Sequence, residues 1–370
     1  MPFSFSTKLF DCPSLDEFFT TWNVGSSDLI VTNEYLLVPQ LKGGKAPCDT
    51  IYQEKFGTGE PTDEMVDKML RTIDGKPYER IIAIGGGTVI DIAKLLVFGD
   101  GLNCEKIFAE GAQLPKKRKL VVIPTTCGTG SEVTMISIVY FAQKNTKVGI
   151  AVPALYADDA VLIPNLLRTL PYEVFAASSI DALIHSVESF VSPKATPYSR
   201  AMGRDSIERI VRGYKALAAG GTQKLPNDDE MYSILVASVM GGIAFGNAGA
   251  GAVHALSYPI GSIYHVPHGK ANYMMFKATF AVYKKLGANL SKLEEVLAGA
   301  LGCGTGEVWD KLFKLIDFIL PRQPISELGV DEAKSREMAA SVIKNQQRLL
   351  VNNPIPLSEE QMVQIYLDCL

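Results

Sequence analysis

The chain predicts an α/β domain on a parallel sheet (residues 1–163), carrying an added β-hairpin, followed by an all-helical domain (residues 164–370). Three observations predict it. Short apolar runs alternate with amphipathic patterns through the first half, the signature of βαβ units. Strand-like runs cease near Pro164 and 3.6-residue periodicity takes over. Finally, Met231 to His268 contains no Asp, Glu, Lys or Arg, which suits helices buried inside a core.

Taken in order, "DLIVTN" and "CDTIYQEKF" read as strands. "TDEMVDKMLRTID" reads as a helix capped by Thr62, because a hydroxyl there can accept an unpaired first-turn N–H. "RIIAI" gives a strand, "GGG" a turn, "TVIDIAKLLVFG" a helix and "KLVVIPTT" a further strand. "MISIVYFAQKNTKVGIAV" is two β-rich runs about a polar turn, a hairpin appended to the sheet. Helices follow at "LPYEVFAASSIDALIHSVESFV", "SRAMGRDSIERIVRGYKALAA" and the uncharged segment, which Pro259 should end or kink near Tyr258. "TGEVWDKLFKLIDFIL", "VDEAKSREMAASVIKNQQRLLV" and "SEEQMVQIYLDCL" complete the set, the last opening with a Ser358/Gln361 capping box. "GCGTGE" at 302–307 follows no strand and reads as a connection between helices.

A formal charge of −4 argues against a nucleic-acid partner, which requires a basic stripe. The six cysteines are scattered with no C-x-x-C pair, as expected of reduced thiols in a cytoplasmic protein. The N-terminus shows no uninterrupted apolar run of the secretory kind. The uncharged segment is long enough to span a bilayer, but its Gly/Ala-rich centre contains Asn247 and His254, which favours a buried helix pair over a membrane partner.

Two loops look suited to a nucleotide. Gly85, Gly86 and Gly87 separate a strand from a helix, where unpaired N–H groups and the helix dipole favour phosphate. The spacing is not G-x-G-x-x-G, and alone it reads equally as a tight turn. "IPTTCGTGSEVT" also follows a strand and offers Thr125, Thr126, Thr129 and Ser131 as hydroxyl contacts. A second constellation is richer. Three of the four histidines fall within "GAVHALSYPIGSIYHVPHG", while Asp181 and His185 stand one helical turn apart in "DALIH". Asp181, His185, His254 and His268 would supply one carboxylate and three imidazoles, a set suited to Fe(II) or Zn(II).

In this order, "GGGTVIDIAK", "IPTTCGTGSEVT", "DALIHSVES", "AFGNAGAGAVHALSYPIG" and "YHVPHG" resemble the iron-containing (group III) alcohol dehydrogenases. "VTNEYL", "QEKFGTGEPTDEM", "VSPKATPYSR" and "NQQRLL" resemble the branch that interconverts 4-hydroxybutyrate and succinate semialdehyde. The resemblance implies a dehydroquinate synthase-like architecture, a homo-oligomer (a dimer), and NAD with Fe(II) as cofactors, NADP and Zn(II) being the alternatives. It implies a small alcohol or aldehyde as substrate, an ω-hydroxy acid in that branch. By the same resemblance the four residues above are the metal ligands. Gly85, Gly86, Gly87, Thr88 and Asp91 form the pyrophosphate turn and its helix. Thr125, Thr126, Thr129 and Ser131 lie beside the nicotinamide riboside, and Lys147 reaches a ribose.

Two positions depart from the family pattern. Tyr258 stands where a second histidine is common, which leaves Tyr258 and His265 as candidates to relay the alcohol proton. Asn33 replaces the aspartate that usually follows the first strand's threonine, which removes a charge that disfavours a 2′-phosphate. Glu34 is adjacent and can partly compensate. Arg200 is the first candidate to bind a substrate carboxylate, because its planar fork matches one.

Overall fold

A computed structural model describes residues 3–221 and 223–370. The chain divides into two units, Phe5–Leu170 and Pro171–Leu370, the second also taking in the described residues before Phe5. The division falls at Leu170 rather than at residue 163.

The first unit contains strands β1 (Lys8–Asp11), β2 (Asp28–Thr32), β3 (Asp49–Tyr52), β4 (Arg80–Gly85), β5 (Lys119–Pro124), β6 (Ile136–Phe141), β7 (Thr146–Ala151) and β8 (Asp159–Leu162). Its helices are α1 (Leu15–Thr21), α2 (Glu34–Leu37), α3 (Asp63–Ile73), α4 (Gly87–Leu95) and α5 (Cys104–Glu110). Six strands form a parallel sheet in the order β1-β8-β5-β4-β2-β3. The central strands β2 and β4 are buried almost throughout, which is why they read as unbroken apolar runs. Leu29, Val31, Ile81 and Ala83 meet Met65, Met69 and Ile90 from α3 and α4 in the core. Thr62 caps α3 as expected, its hydroxyl accepting from Met65 N at 3.2 Å.

The hairpin forms, but as a separate antiparallel sheet of β6 and β7 rather than as an addition to the parallel one. Asp91 explains this. Its carboxylate accepts from Ile138 N on β6, so α4 takes a bond that a sheet neighbour would otherwise have made. The sequence reading also passes over β1 and β8. β1 is an exposed edge of four residues, too short for a pattern to register.

The second unit is helical: α6 (Tyr172–Val191), α7 (Pro197–Ala219), α8 (Asp228–Ala248), α9 (Ala252–Tyr264), α10 (His268–Lys285), α11 (Ser291–Leu301), α12 (Val308–Ile319), α13 (Glu332–Asn345), α14 (Gln347–Leu350) and α15 (Glu359–Leu367). The Ser358/Gln361 capping box closes as expected. Residues 302–307 are a connection, ending α11 at Gly302. By length and composition α6 and α8 could each cross a membrane, yet 78% and 61% of their apolar windows are buried within the protein.

Pro259 does not end a helix near Tyr258; it lies inside α9, which runs on to Tyr264. Residues 252–261 are all buried, so packing holds the helix across the missing N–H. The break comes earlier, at Gly249. Its φ of +81° is costly for any other residue, and a Cβ there would stand 2.3 Å from Asn352 Nδ2.

Candidate metal centre and nucleotide cradle

Three helices of the second unit assemble the metal constellation. α6 presents Asp181 and His185 on one face, α9 presents His254, and α10 opens with His268. One ligand-type atom from each lies within 4.8 Å of all the others. His185 Nδ1 is 3.8 Å from Asp181 Oδ2, and His254 Nε2 is 3.5 Å from Asp181 Oδ1. His268 Nε2 is 3.8 Å from the same Asp181 oxygen. The imidazoles layer upon one another: His185 stacks on Phe245 at 4.1 Å and on His254 at 4.3 Å.

Close approach of α10 to α6 depends on the residue after His268. A Cβ at Gly269 would fall 2.1 Å from the carbonyl oxygen of Ala177. Only glycine allows the two backbones to meet here, and that contact brings His268 to Asp181.

Two polar residues that the sequence reading missed fix the ligands. Glu188 is buried on α6, one turn beyond His185. It accepts from His254 Nδ1 at 2.5 Å and from Val253 N at 2.7 Å. Asn272, fully buried on α10, donates to Asp181 Oδ1 at 2.7 Å. Glu188 was within the quoted "DALIHSVES", three residues after His185, and that spacing was the available signal.

The donor set fits a divalent first-row metal. One hard carboxylate and three borderline imidazoles match Fe(II) or Zn(II). His254 Nε2 is buried without a hydrogen-bond partner among the described residues, an expensive condition for an imidazole that holds no ion. Electrostatics agree. Burial works to raise the Asp181 pKa, but the imidazoles, His185 foremost, hold its carboxyl far below the ordinary range. Burial likewise disfavours a charged His254, yet the Asp181 and Glu188 carboxylates lift its pKa to about 9. The pocket is strongly disposed to cations.

The proton-relay candidates separate. Tyr258 is buried, with its ring centroid 6.1 Å from that of His268. His265 is exposed and ends α9 in the left-handed conformation at φ +55°, an ordinary duty for a helix C-cap. Arg200 donates to the Phe190 carbonyl at 3.2 Å, which accounts for it as a tie between α6 and α7.

In the first unit, the two glycine- and threonine-rich loops follow neighbouring strands. Thr125 N donates to Gly85 O at 3.1 Å, joining them directly. α4 begins at Gly87 with no side chain capping its first N–H groups. A Cβ on Gly86 would meet Thr126 at 3.2 Å, and one on Gly87 would meet Thr129 at 2.8 Å. This is a cradle that side chains would fill, as a bound pyrophosphate requires.

Other expected contacts are committed within the fold. Asp91 does not point outward: its oxygens accept from Ser131 Oγ at 2.5 Å and Ile138 N at 2.9 Å. Ser131 is held in turn by Lys94 Nζ at 2.7 Å. Both act as a clamp between α4 and the second loop, because a buried Lys94 needs acceptors. Burial lowers the Lys94 pKa to about 8. Thr88 donates to Gly59 O at 3.1 Å, and Lys147 pairs with Glu60 at 2.5 Å. Asn33, just past β2, donates to Gln53 Oε1 at 3.2 Å and to Glu54 Oε2 at 2.9 Å.

Comparison with known proteins agrees with this arrangement. A 4-hydroxybutyrate dehydrogenase of Clostridium kluyveri is 45% identical over 353 residues, spanning 95% of each chain. An iron-containing alcohol dehydrogenase structure from Thermococcus thioreducens matches with a TM-score of 0.83 at 27% identity, over 100% of this chain and 99% of that one. The sulfoacetaldehyde reductase of Bifidobacterium kashiwanohense, solved with NAD+, shares the fold with a TM-score of 0.84 at 20% identity, over 100% and 98% of the two chains. Residues 15–164 match the family described as iron-containing alcohol dehydrogenase, and residues 175–370 match its C-terminal domain. Four clustered ligands on three helices, a glycine cradle at the end of β4 and these matches place the chain in the iron-containing alcohol dehydrogenase family.

Proposed function

We propose that this protein interconverts 4-hydroxybutyrate and succinate semialdehyde, with NAD as the hydride carrier. The observation that carries the substrate is the 45% identity, over 95% of both chains, to the Clostridium kluyveri enzyme of that name. Asp181, His185, His254 and His268 would hold Fe(II), with Zn(II) as the alternative. When bound, that ion supplies Lewis acidity toward an alcohol or aldehyde oxygen, and the nicotinamide supplies the hydride acceptor or donor.

The chain's own residues do the rest. Glu188 accepts a hydrogen bond from His254 Nδ1 and leaves Nε2 directed at Asp181, the orientation a ligand needs. Asn272 steadies Asp181 by donating to Oδ1, the oxygen that also faces His254 and His268. Gly86, Gly87 and the start of α4 present N–H groups to a pyrophosphate, while Thr125, Thr126 and Thr129 line the adjoining loop. Tyr258 is the inner proton relay and His265 the outer one. A phenol of ordinarily high pKa passes a proton rather than removing one outright. The protein is read as cytoplasmic and without a membrane partner, supported by cysteines that form no disulfide among the described residues and by the burial of α6 and α8. The formal charge of −4 supports the absence of a nucleic-acid partner, and a homo-oligomer is what the family resemblance implies.

The test is nicotinamide absorbance with metal-loaded enzyme on 4-hydroxybutyrate, 1-butanol and glycerol, each with NAD and NADP. The highest kcat/KM is expected for 4-hydroxybutyrate with NAD. Preference for 1-butanol would reduce the reading to a general primary-alcohol dehydrogenase. Full turnover by a His268→Ala protein, verified metal-free by elemental analysis, would remove the metal from the mechanism.

A further inference from the structure

We propose that Glu54 is the specificity-determining residue that excludes the 2′-phosphate of NADP, replacing the carboxylate that Asn33 lacks. The proposal rests on the dinucleotide-dependent reading above.

Topology locates the question. From β2 the chain crosses to β3 on one side, whereas from β4 it crosses to β5 on the other. The β2/β4 junction is therefore the switch point of the sheet, where doubly wound folds bind nucleotides beyond the carboxyl ends of the strands. The glycine cradle follows β4, and Thr32 at the end of β2 donates to Ile84 O at 2.7 Å, so Asn33 and the cradle share one rim. Dinucleotide folds read the adenosine 2′ position with an acidic side chain on this rim, which accepts a 2′-hydroxyl and repels a 2′-phosphate.

Asn33 cannot serve in that way. Its amide nitrogen is occupied by Gln53 and Glu54, and its side chain is uncharged. Glu34 is a poor substitute, because its carboxylate lies 3.4 Å from Lys55 Nζ and is half exposed. Glu54 differs. It follows β3, which pairs with β2 so that Thr32 faces Tyr52. One of its oxygens accepts from Asn33 Nδ2 at 2.9 Å and the other from Glu34 N at 2.6 Å. These two bonds lock a carboxylate against the residue where the family usually carries one. The charge has moved from β2 to the neighbouring strand while keeping its place on the rim.

The experiment titrates metal-loaded protein with NADH and NADPH, following nicotinamide fluorescence, and pairs each Kd with kcat/KM. Wild type should bind NADH more tightly. Glu54→Gln, an isostere, should improve the NADPH-to-NADH affinity ratio by about tenfold or more, since a fixed charge beside a phosphate is worth at least that. Adding Asn33→Asp to Glu54→Gln should restore the original ratio, which a merely structural role for Glu54 would not produce. A ratio unchanged in a folded Glu54→Gln protein, a double variant that fails to restore it, or a wild type that prefers NADPH overturns the proposal. Dinucleotide binding without turnover of 4-hydroxybutyrate would instead refute the substrate reading and leave the Glu54 test intact. Absence of binding by either dinucleotide would refute both.

Discussion

Glu188 shows how much of a metal site lies outside its ligands. It is almost wholly buried, and its oxygens are shared between His254 Nδ1 and Val253 N. Glu188→Gln keeps the shape but removes the charge that makes His254 a basic ligand, so metal affinity should fall by about 10–100-fold. Competition against a chelator of known affinity measures this directly, and an unchanged affinity would leave Glu188 a packing residue. The two histidine deletions should differ in kind. His254→Ala strands a buried Glu188 carboxylate and should cost about 3–5 kcal/mol of stability, whereas the His268 side chain is 31% exposed and leaves no such orphan. Denaturant unfolding of the two metal-free variants checks this; equal losses would contradict it. The candidate ligands were readable because Asp181 and His185 obey helical spacing and histidine is scarce in this chain. Glu188 was not, since its function appears only when α9 packs on α6. Asp91 came from the family resemblance alone, as part of the pyrophosphate turn and its helix; in the fold its carboxylate accepts from Ser131 Oγ and Ile138 N, partners that no local pattern announces.

Between elements, close approach and buried charge decide what the sequence pattern leaves open. Gly269→Ala forces a methyl group to 2.1 Å from the Ala177 carbonyl oxygen, so α10 must shift away from α6. Overpacking of this kind costs about 1–3 kcal/mol or more. Tm should fall and chelator competition should show weaker metal binding; loss of neither would mean that α10 can move freely. In the other unit, Glu132 lies in the second loop, and burial raises its pKa to about 7 from 4.5. A carboxyl that binds its proton more tightly when folded contributes stability fully below pH 4.5, and loses it as pH rises through 7. Glu132→Gln should therefore gain on wild type across that window, by about 1–3 kcal/mol at pH 8 relative to pH 4.5. Thermal unfolding of both proteins across the window tests it, and a difference independent of pH would place the Glu132 charge in solvent. Neither effect was legible beforehand. Nothing in the sequence shows which backbone Gly269 would touch. Pro259 predicted an interruption that burial on both sides of α9 overrides, while Gly249 supplied the real one.

Across the whole molecule, the two kinds of chemistry are housed separately. Every candidate metal ligand, with Glu188 and Asn272, lies within Pro171–Leu370, whereas the glycine cradle, the threonine loop and Glu54 lie within Phe5–Leu170. In the sequence the dominant period changes near Pro164, a few residues before the division at Leu170, and the reading missed mainly the short strands β1 and β8, which carry few residues of pattern. Separate housing has a thermodynamic consequence. A ligand stabilises the unit that binds it, by about 2.7 kcal/mol when its free concentration is a hundred times Kd. A chain of two units need not unfold in one transition. Calorimetry of the metal-free protein should therefore resolve a transition that added Fe(II) or Zn(II) moves upward and another that NAD moves upward, each leaving the other nearly in place. His268→Ala should abolish the first shift and spare the second. A single transition moved equally by both ligands would show that the units unfold as one body.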